Sequence, residues 1–166
     1  MISSVSSEYL YQPSAPHDRQ GYKYSELTEE IIGIYYDVYN ELGFGFLESV
    51  YEEAMTVALK SKGIEMQRQV AIPVWFRGQK VGVYQADLVI KGCVVIELKA
   101  CRTLESAHEA QLLHYLRSTE IEVGLLLNFA PRPQVRRLAF DNQRKNISVH
   151  LRKSAANSFA AENENV

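Results

Sequence analysis

Residues 85–100 read QADLVIKGCVVIELKA, two apolar runs separated by Lys91 and Gly92. Each run has the length and β-branched content of a buried strand, and the short glycine-containing turn predicts an antiparallel hairpin. Asp87 interrupts the first run, and Glu97 lies near the end of the second. Because the turn brings the two strands side by side, we expect the two carboxylates to meet at one edge of a sheet.

The second run ends with a carboxylate and an ammonium group on the same face. Alternation along a strand places Glu97 and Lys99 on one side and Leu98 on the other. Two carboxylates with a main-chain carbonyl, here that of Leu98, are the hard oxygen ligands that Mg²⁺ prefers, with Mn²⁺ as an alternative. Lys99 could then orient an attacking water or stabilise charge developing on a phosphate. The competing interpretation is a plain cross-strand salt bridge of Lys99 with either acid, which an isolated E-x-K triplet favours.

Apolar residues at helical spacing predict two helices before this hairpin. The first has Ser25 or Thr28 as its N-cap and ends at Gly43. The second begins near Leu47, which we expect to be buried, and ends at Gly63.

Strands and a third helix complete the predicted fold. The third helix should run from Leu104 to about Arg117, with Thr103 as its cap. The predicted strands are VAIPVWF, VGVYQADLVI, CVVIELK and VGLLLNF, with weaker candidates in VRRLAF and ISVHL at residues 135–140 and 147–151. The sequence therefore predicts an α/β fold, a mixed β-sheet flanked by helices in the order α-α-β-β-β-α-β, with a further strand at the end.

Glu48 is a polar residue within the apolar pattern of the second helix. A wheel of about 3.6 residues per turn places it between Met55 and Leu59, inside the apolar stripe. Such a carboxylate could complete the acidic site, or it could be a first-turn acid stabilised by the helix dipole.

The third helix carries a polar face. His108, Gln111 and Tyr115 lie at i, i+3 and i+7, on the face that also holds Leu104 and Leu112. This mixture predicts that the three polar residues line a cleft. The alternative is that each is a structural side chain with its own hydrogen-bond partner.

Length and composition predict one globular domain at residues 25–152, between a flexible leader at 1–24 and a disordered tail at 153–166. No apolar run approaches the ~20 residues that a membrane span needs, and the N-terminus lacks the pattern of a secretory signal. Cys93 and Cys101 are expected to be unpaired thiols. These features predict a cytoplasmic protein.

Positive charge is concentrated near the C-terminus, although the net charge of the chain is -2. Residues 132–153 contain seven basic side chains against one acidic side chain. This segment is either an ordinary solvated surface or a contact for nucleic-acid phosphates. The candidate phosphate-binding residues are Arg132, Arg136, Arg137, Arg144 and Lys145.

Several blocks of sequence together resemble one known family. GFLESVY at residues 45–51 fits the pattern that gives the GxxExxY family its name. The match continues through VVIELKA, the H-x-x-Q-x-x-x-Y of residues 108–115 and GLLLNFA, and covers roughly residues 26–140. The family resembles a branch of the PD-(D/E)XK nuclease superfamily, which has a restriction-endonuclease-like core.

The resemblance implies a role for each candidate residue. Asp87 and Glu97 resemble the metal-binding acids, Lys99 the catalytic lysine and Glu48 the N-terminal helix glutamate. Gln111 and Tyr115 resemble the Q-x-x-x-Y motif of RecB-like members. The sequence departs from the pattern in two places: Ala86 replaces the proline of the name motif, and the upstream metal-binding histidine of some RecB-like members has no clear counterpart.

The function implied by the resemblance is a metal-dependent nuclease that hydrolyses phosphodiester bonds, in DNA ahead of RNA, with Mg²⁺ as cofactor. A homodimer is expected by analogy with small nucleases that cut both strands. The alternatives are a catalytically weak nucleic-acid-binding or regulatory protein with the same fold, and a protein-interaction module.

Overall fold

A computed structural model describes residues 22–145, apart from the side chain of Arg144. Residues 1–21 of the predicted leader, the predicted tail and the candidate strand ISVHL lie outside the described residues. Between residues 22 and 145 no helix is long and apolar enough to cross a membrane.

The described chain contains three α-helices and five strands, in the order expected from the sequence. The elements are α1 (Ser25–Leu42), α2 (Glu48–Ser61), β1 (Met66–Phe76), β2 (Gln79–Ile90), β3 (Val94–Lys99), α3 (Ser106–Ser118), β4 (Val123–Asn128) and β5 (Gln134–Ala139), followed by a 3₁₀ turn at Asn142–Arg144. The weaker strand candidate VRRLAF is thus confirmed as β5.

All five strands form one mixed sheet in the order β1-β2-β3-β4-β5. The first three strands are an antiparallel meander, as the short glycine turns predict. Helix α3 then crosses over one face, so that β4 runs parallel to β3. Strand β5 returns antiparallel to β4 at the edge. The predicted α/β fold with a mixed sheet and flanking helices is confirmed.

Each face of the sheet has its own apolar layer. Ile96 and Leu98 belong to the layer formed with α1 and α2. Val95, one residue before Ile96 and therefore on the opposite face, packs with Leu112 and Leu116 of α3. Strand β3 is therefore buried on both sides, as expected for a central strand next to a parallel neighbour.

The helix starts differ from the sequence predictions. Tyr24, not Ser25 or Thr28, is the N-cap of α1, and its side chain makes no capping hydrogen bond. The N-cap of α3 is Glu105, not Thr103. Leu47 precedes α2 and is 76% exposed, so its predicted burial was wrong. Both cysteines are free, as predicted.

Gly124 marks the closest approach of α3 to the sheet. A Cβ atom at this position would lie 2.7 Å from Cδ1 of Leu112 and 3.1 Å from Cγ1 of Val95. Glycine is therefore required here by packing.

We expect Gly124→Val to lower the free energy of unfolding by about 1–3 kcal/mol or more, because the added methyl groups overpack this contact. Urea denaturation measures the change. Gly33→Ala is the matched control, since nothing lies within 4 Å of a Cβ at this helical position, and it should stabilise by about 0.5–1 kcal/mol. An unchanged midpoint for Gly124→Val would contradict the packing argument.

Candidate active site

An irregularity in the pairing of β1 with β2 lies at Asp87, one of the acids of the candidate active site. The ladder between β1 and β2 has no registered pair at Gln69 and Asp87, and Gln69 has a left-handed φ of 49°. Ala86 packs on the α3 side of the sheet, whereas Leu88, two residues later, packs on the α1 and α2 side. In a regular strand both would share one face. Asp87 therefore lies where the side-chain alternation of β2 switches from one face of the sheet to the other.

The side chain of Asp87 links β2 to β3 beyond the last backbone pair of the two strands. Backbone pairing of β2 with β3 ends at Leu88 and Ile96. Beyond it, Oδ2 of Asp87 accepts a hydrogen bond from the Leu98 backbone N–H at 2.7 Å. Burial raises the pKa of Asp87, and the bond from Leu98 and the charge of Lys99 oppose this rise.

Glu97 is the most buried acid of the site, with 2% of its surface exposed. Its Oε2 lies 3.4 Å from Nζ of Lys99 and 3.5 Å from Nε2 of Gln111. Its Oε1 has no hydrogen-bond partner among the described residues. Burial, followed by the neighbouring charge of Asp87, raises the pKa of Glu97 to about 7. The ion pair with Lys99 therefore offsets only part of the electrostatic cost of burying the Glu97 carboxylate.

Helix α3 brings two of its three candidate residues to Glu97. Besides Gln111, the buried hydroxyl of Tyr115 interacts with Glu97. Burial is the main cause that raises the pKa of Tyr115, and the charge of Glu97 is the next. This hydroxyl has no hydrogen-bond partner of good geometry within residues 22–145. The Tyr115 ring packs edge-on against Tyr84, with centroids 5.2 Å apart.

His108 has a structural contact at the start of α3. Its Nδ1 accepts a hydrogen bond from the Glu105 backbone N–H at 3.0 Å, so the imidazole satisfies a helix-end donor. This is the structural alternative left open by the sequence, and the cleft-lining role of His108 stays a prediction.

Glu48 reaches the site from α2. It lies on the helix face that buries Met55 and Leu59, as the wheel predicts, but its own side chain, in the first turn, is exposed. Its Oε1 accepts a hydrogen bond from the Ala100 backbone N–H at 3.3 Å, directly after Lys99. Tyr51, one turn later, sets where α2 starts. Its hydroxyl donates to the Gly43 carbonyl oxygen at 2.9 Å and accepts from the Phe46 N–H at 3.2 Å. The spacing of glutamate and tyrosine in the motif therefore has a structural reason.

Glu52 is a third acid near Asp87 that sequence reasoning missed. It is 9% exposed, accepts from Arg68 at 3.1 Å and from Gln69 at 2.7 Å, and its charge contributes to the raised pKa of Asp87. Its position four residues after Glu48 was the available signal, because i and i+4 share a helix face.

Asn128 was also missed, and it fixes the segment after β3. Its side chain is fully buried and exchanges two hydrogen bonds of 3.0 Å with the backbone N–H and carbonyl of Cys101. A third bond of 3.0 Å goes to Gln134, whose Oε1 also accepts from the Leu104 N–H. The chain between Lys99 and α3 is thereby held against the ends of β4 and β5.

The acidic residues were compared with the ligand set that a metal ion needs. Among residues 22–145 no group of three or more His, Cys, Asp or Glu side chains is placed to hold a metal ion. Asp87 and Glu97 nevertheless suit a divalent cation, because both are hard oxygen donors whose pKa values burial raises. The unpartnered Oε1 of Glu97 is a free ligand atom.

The predicted phosphate-binding residues do not form one patch. Arg136 and Arg137 alternate across edge strand β5, so Arg136 pairs with Glu109 of α3 and Arg137 donates to the Lys23 carbonyl oxygen. The ammonium of Lys145 is buried and donates to two backbone carbonyls, those of Thr119 and Ile121, which removes it from the surface.

Arg132 is exposed in the connection between β4 and β5. Phe129, at the start of this connection, bonds through its N–H to the Lys99 carbonyl oxygen at 2.8 Å, which places the connection at the Lys99 end of the sheet. The side chain of Arg144 lies outside the described residues.

The fold agrees with a family comparison. The family model of the PD-(D/E)XK nuclease superfamily matches residues 25–138, and the chain belongs to this superfamily. Its sheet and helices are those of the restriction-endonuclease-like fold. No curated protein matches the chain. A solved structure described as "Crystal structure of SSO0001" is similar, at 19% identity and a TM-score of 0.46 over 85% of this chain and 69% of that one.

We expect Glu97→Gln to stabilise the metal-free protein at pH 8, by on the order of 2 kcal/mol. The folded-state pKa of about 7 lies above the ordinary 4.5, so the native protein holds a proton that the unfolded chain releases between these values. The stability contribution of Glu97 therefore falls as pH rises through this window. Urea denaturation in EDTA at pH 5 and pH 8 measures the difference.

Glu41→Gln, at an exposed position of α1, is the matched control. Added Mg²⁺ should stabilise the natural protein more than Glu97→Gln, a metal readout that needs no activity. A Glu97→Gln protein less stable than the natural one at pH 8 in EDTA would show that the carboxylate is compensated after all.

Asn128→Ala should lower the free energy of unfolding by about 2 kcal/mol or more, because it leaves the backbone N–H and carbonyl of Cys101 without their partner. Thermal or urea unfolding measures this loss. Asn40→Ala on α1 removes the same amide from a half-buried helical position and should cost much less. Equal effects of the two substitutions would argue against the clamp.

Proposed function

We propose that this protein is a metal-dependent nuclease that hydrolyses phosphodiester bonds, in DNA ahead of RNA, by a metal-activated water. The observation that carries the proposal is the convergence of Asp87, Glu97 and Lys99 at the end of β3. The Glu97 carboxylate is buried there, and its Oε1 has no hydrogen-bond partner among the residues that the structure describes. A protein without use for this arrangement would be more stable with apolar or fully paired groups there. Membership of a nuclease superfamily supports the same reaction.

Asp87, Glu97 and the carbonyl of Leu98 would hold Mg²⁺, or Mn²⁺ in its place, with Glu48 completing the acidic set. The bound cation supplies a water of lowered pKa and neutralises charge on the phosphate. Burial of the two carboxylates favours this binding, because a cation offsets the charge that burial disfavours.

Lys99 is the group we assign to the reacting water and phosphate. Its ammonium is largely buried and lies 3.4 Å from Oε2 of Glu97, which orients it along the same face of β3. From this position it can hold the attacking water by a hydrogen bond and stabilise negative charge that develops on the phosphate.

Gln111 and Tyr115 support Glu97 from α3. The amide of Gln111, 3.5 Å away, restrains Oε2, and the Tyr115 hydroxyl lies beside the same carboxylate. Holding the metal-binding carboxylate in one rotamer is the role that outer residues play in metal sites. His108 is assigned to the cleft wall near the helix start.

Binding of the nucleic-acid backbone is assigned first to Arg132, at the Lys99 end of the sheet, and to Arg136 on the α3 side of β5. Arg137, Arg144 and Lys145 were assigned the same role from sequence, and the buried ammonium of Lys145 now argues for a structural role instead. Phosphate contacts predict that affinity falls steeply with salt. The homodimer and the cytoplasmic location stay predictions.

We expect Lys99→Ala and Asp87→Ala each to reduce cleavage by about 10²-fold or more, because each removes a charged group from the reacting centre. The measurement uses labelled single- and double-stranded DNA and RNA, with Mg²⁺, Mn²⁺ or EDTA. Cleavage should require the metal, and the substrate that is cut names the class.

Lys60→Ala and Asp37→Ala are the matched controls, because they remove the same groups from exposed positions on α2 and α1. Both should cleave at the natural rate. Cleavage that survives Lys99→Ala or Asp87→Ala undiminished would refute the site. Tight nucleic-acid binding with no metal-dependent cleavage of any substrate would favour a binding or regulatory protein of the same fold.

A further inference from the structure

The hairpin of β1 and β2 extends far beyond the rest of the sheet. Strand β2 is 12 residues long, but it pairs with β3 only from Leu88 to Ile90. At about 3.3 Å per residue, its first nine residues extend about 30 Å past this pairing. They run toward the end of β3 at which Lys99 lies, because β2 is antiparallel to β3. We call residues 73–83, the outer part of this hairpin, the hairpin arm.

The hairpin arm presents apolar side chains that the described chain does not cover. Trp75, Phe76, Val81 and Val83 are 41%, 61%, 60% and 52% exposed. Nearer the sheet, Ile72 and Tyr84 pack against α3, which anchors the base of the arm. A two-stranded ribbon gains little stability from leaving such residues in water. Their exposure therefore points to a function outside the fold.

The charge of the hairpin arm and its surroundings selects the partner. From Met66 to Ala86 the chain contains Arg68, Arg77 and Lys80 but no acidic residue, although the whole chain carries more acids than bases. Glu52 and Glu53 pair with Arg68 at the base, which leaves two cations on the arm itself. The Arg77 guanidinium lies 5.2 Å from the centroid of the Phe76 ring. Aromatic rings beside cations suit stacked bases and phosphates.

We propose that the hairpin arm holds a nucleic-acid strand with unpaired bases next to the cleavage site, with Trp75 stacking on a base and Lys80, its cross-strand partner on the same face of the ribbon, contacting a phosphate. The inference rests on the proposed nuclease function and deepens it by naming the substrate class. Asp87 and the arm belong to the same strand, so the position of a base on the arm sets the position of the phosphodiester at the acids. Substrates with a single-stranded segment are therefore bound better than blunt duplexes.

Trp75 is the single tryptophan of the chain, so its fluorescence reports directly on the hairpin arm. The experiment titrates the full-length protein in EDTA with a short single-stranded DNA and with the blunt duplex of the same sequence. The single strand should quench the fluorescence more strongly than the duplex. By anisotropy of labelled DNA, Trp75→Ala should weaken single-strand binding about tenfold, and Trp75→Phe should retain most of the affinity.

Lys80→Gln tests the charge independently of the aromatic residues. It should reduce the slope of log affinity against log salt by about 0.7. Val57→Ala, which trims an exposed apolar residue of α2, is the control and should bind like the natural protein. Unfolding curves check that each variant keeps its fold.

The inference would be overturned if Trp75→Ala bound single strands with the affinity of the natural protein. Binding without any change in Trp75 fluorescence, or no nucleic-acid binding at all, would overturn it as well. A dimer in sedimentation that Trp75→Ala dissociates, with unchanged DNA affinity, would also overturn it and make the arm a contact between copies.

Cleavage assays with Mg²⁺ on the same preparations separate the two proposals. Cleavage with no effect of Trp75→Ala on binding would leave the nuclease standing without the hairpin arm. Binding that depends on Trp75, without cleavage of any substrate, would support the arm as a nucleic-acid contact and remove the nuclease assignment.

Discussion

Two carboxylates, those of Glu97 and Asp87, share the end of β3 with one ammonium group, and this imbalance of buried charge governs the site. Burial raises the pKa of both acids, and within the described part of the chain, residues 22–145, one Glu97 oxygen has no hydrogen-bond partner. The fold tolerates the buried Glu97 carboxylate because the apolar residues of β3, buried on both faces of the strand, stabilise the protein. The core thus supplies the stability that the charged end of the same strand costs.

Several surrounding elements contribute side chains to this end of β3. The change of facing in β2 turns Asp87 toward the Leu98 N–H. Tyr51 fixes the turn that starts α2, which brings Glu48 to the Ala100 N–H. Asn128 holds the chain that leads into α3, and α3 returns with Gln111. Each of these hydrogen bonds joins two different segments of the fold, so the site depends on the sheet and its helices being assembled.

The order of elements could be read from sequence because it rests on local properties: apolar periodicity, glycine turns and strand length. The meander, the crossover helix and the edge strand were all predicted and are confirmed. Helix starts were not, because the N-caps are Tyr24 and Glu105, and neither residue type is a preferred N-cap. The exposure of Leu47 and Glu48 was also missed, since a helical wheel gives the face on which a residue lies but not whether another element covers that end of the helix. The two arginines of β5 looked like one basic run, but strand alternation separates them.

The sequence by itself determined which residues carry the charge, Asp87, Glu97 and Lys99, because hydrophilic groups inside apolar strands are conspicuous against their neighbours. It also determined that a hairpin brings the two acids together, since turn length is a local property. Tertiary structure alone decided how those charges are compensated. The hydrogen bonding of the Glu97 oxygens, the burial of Lys145, and the participation of Glu52 and Asn128 in the site all depend on groups that belong to other elements of the chain. Solvent exclusion and hydrogen-bond geometry are set by packing of the assembled sheet and helices, and no local pattern encodes them.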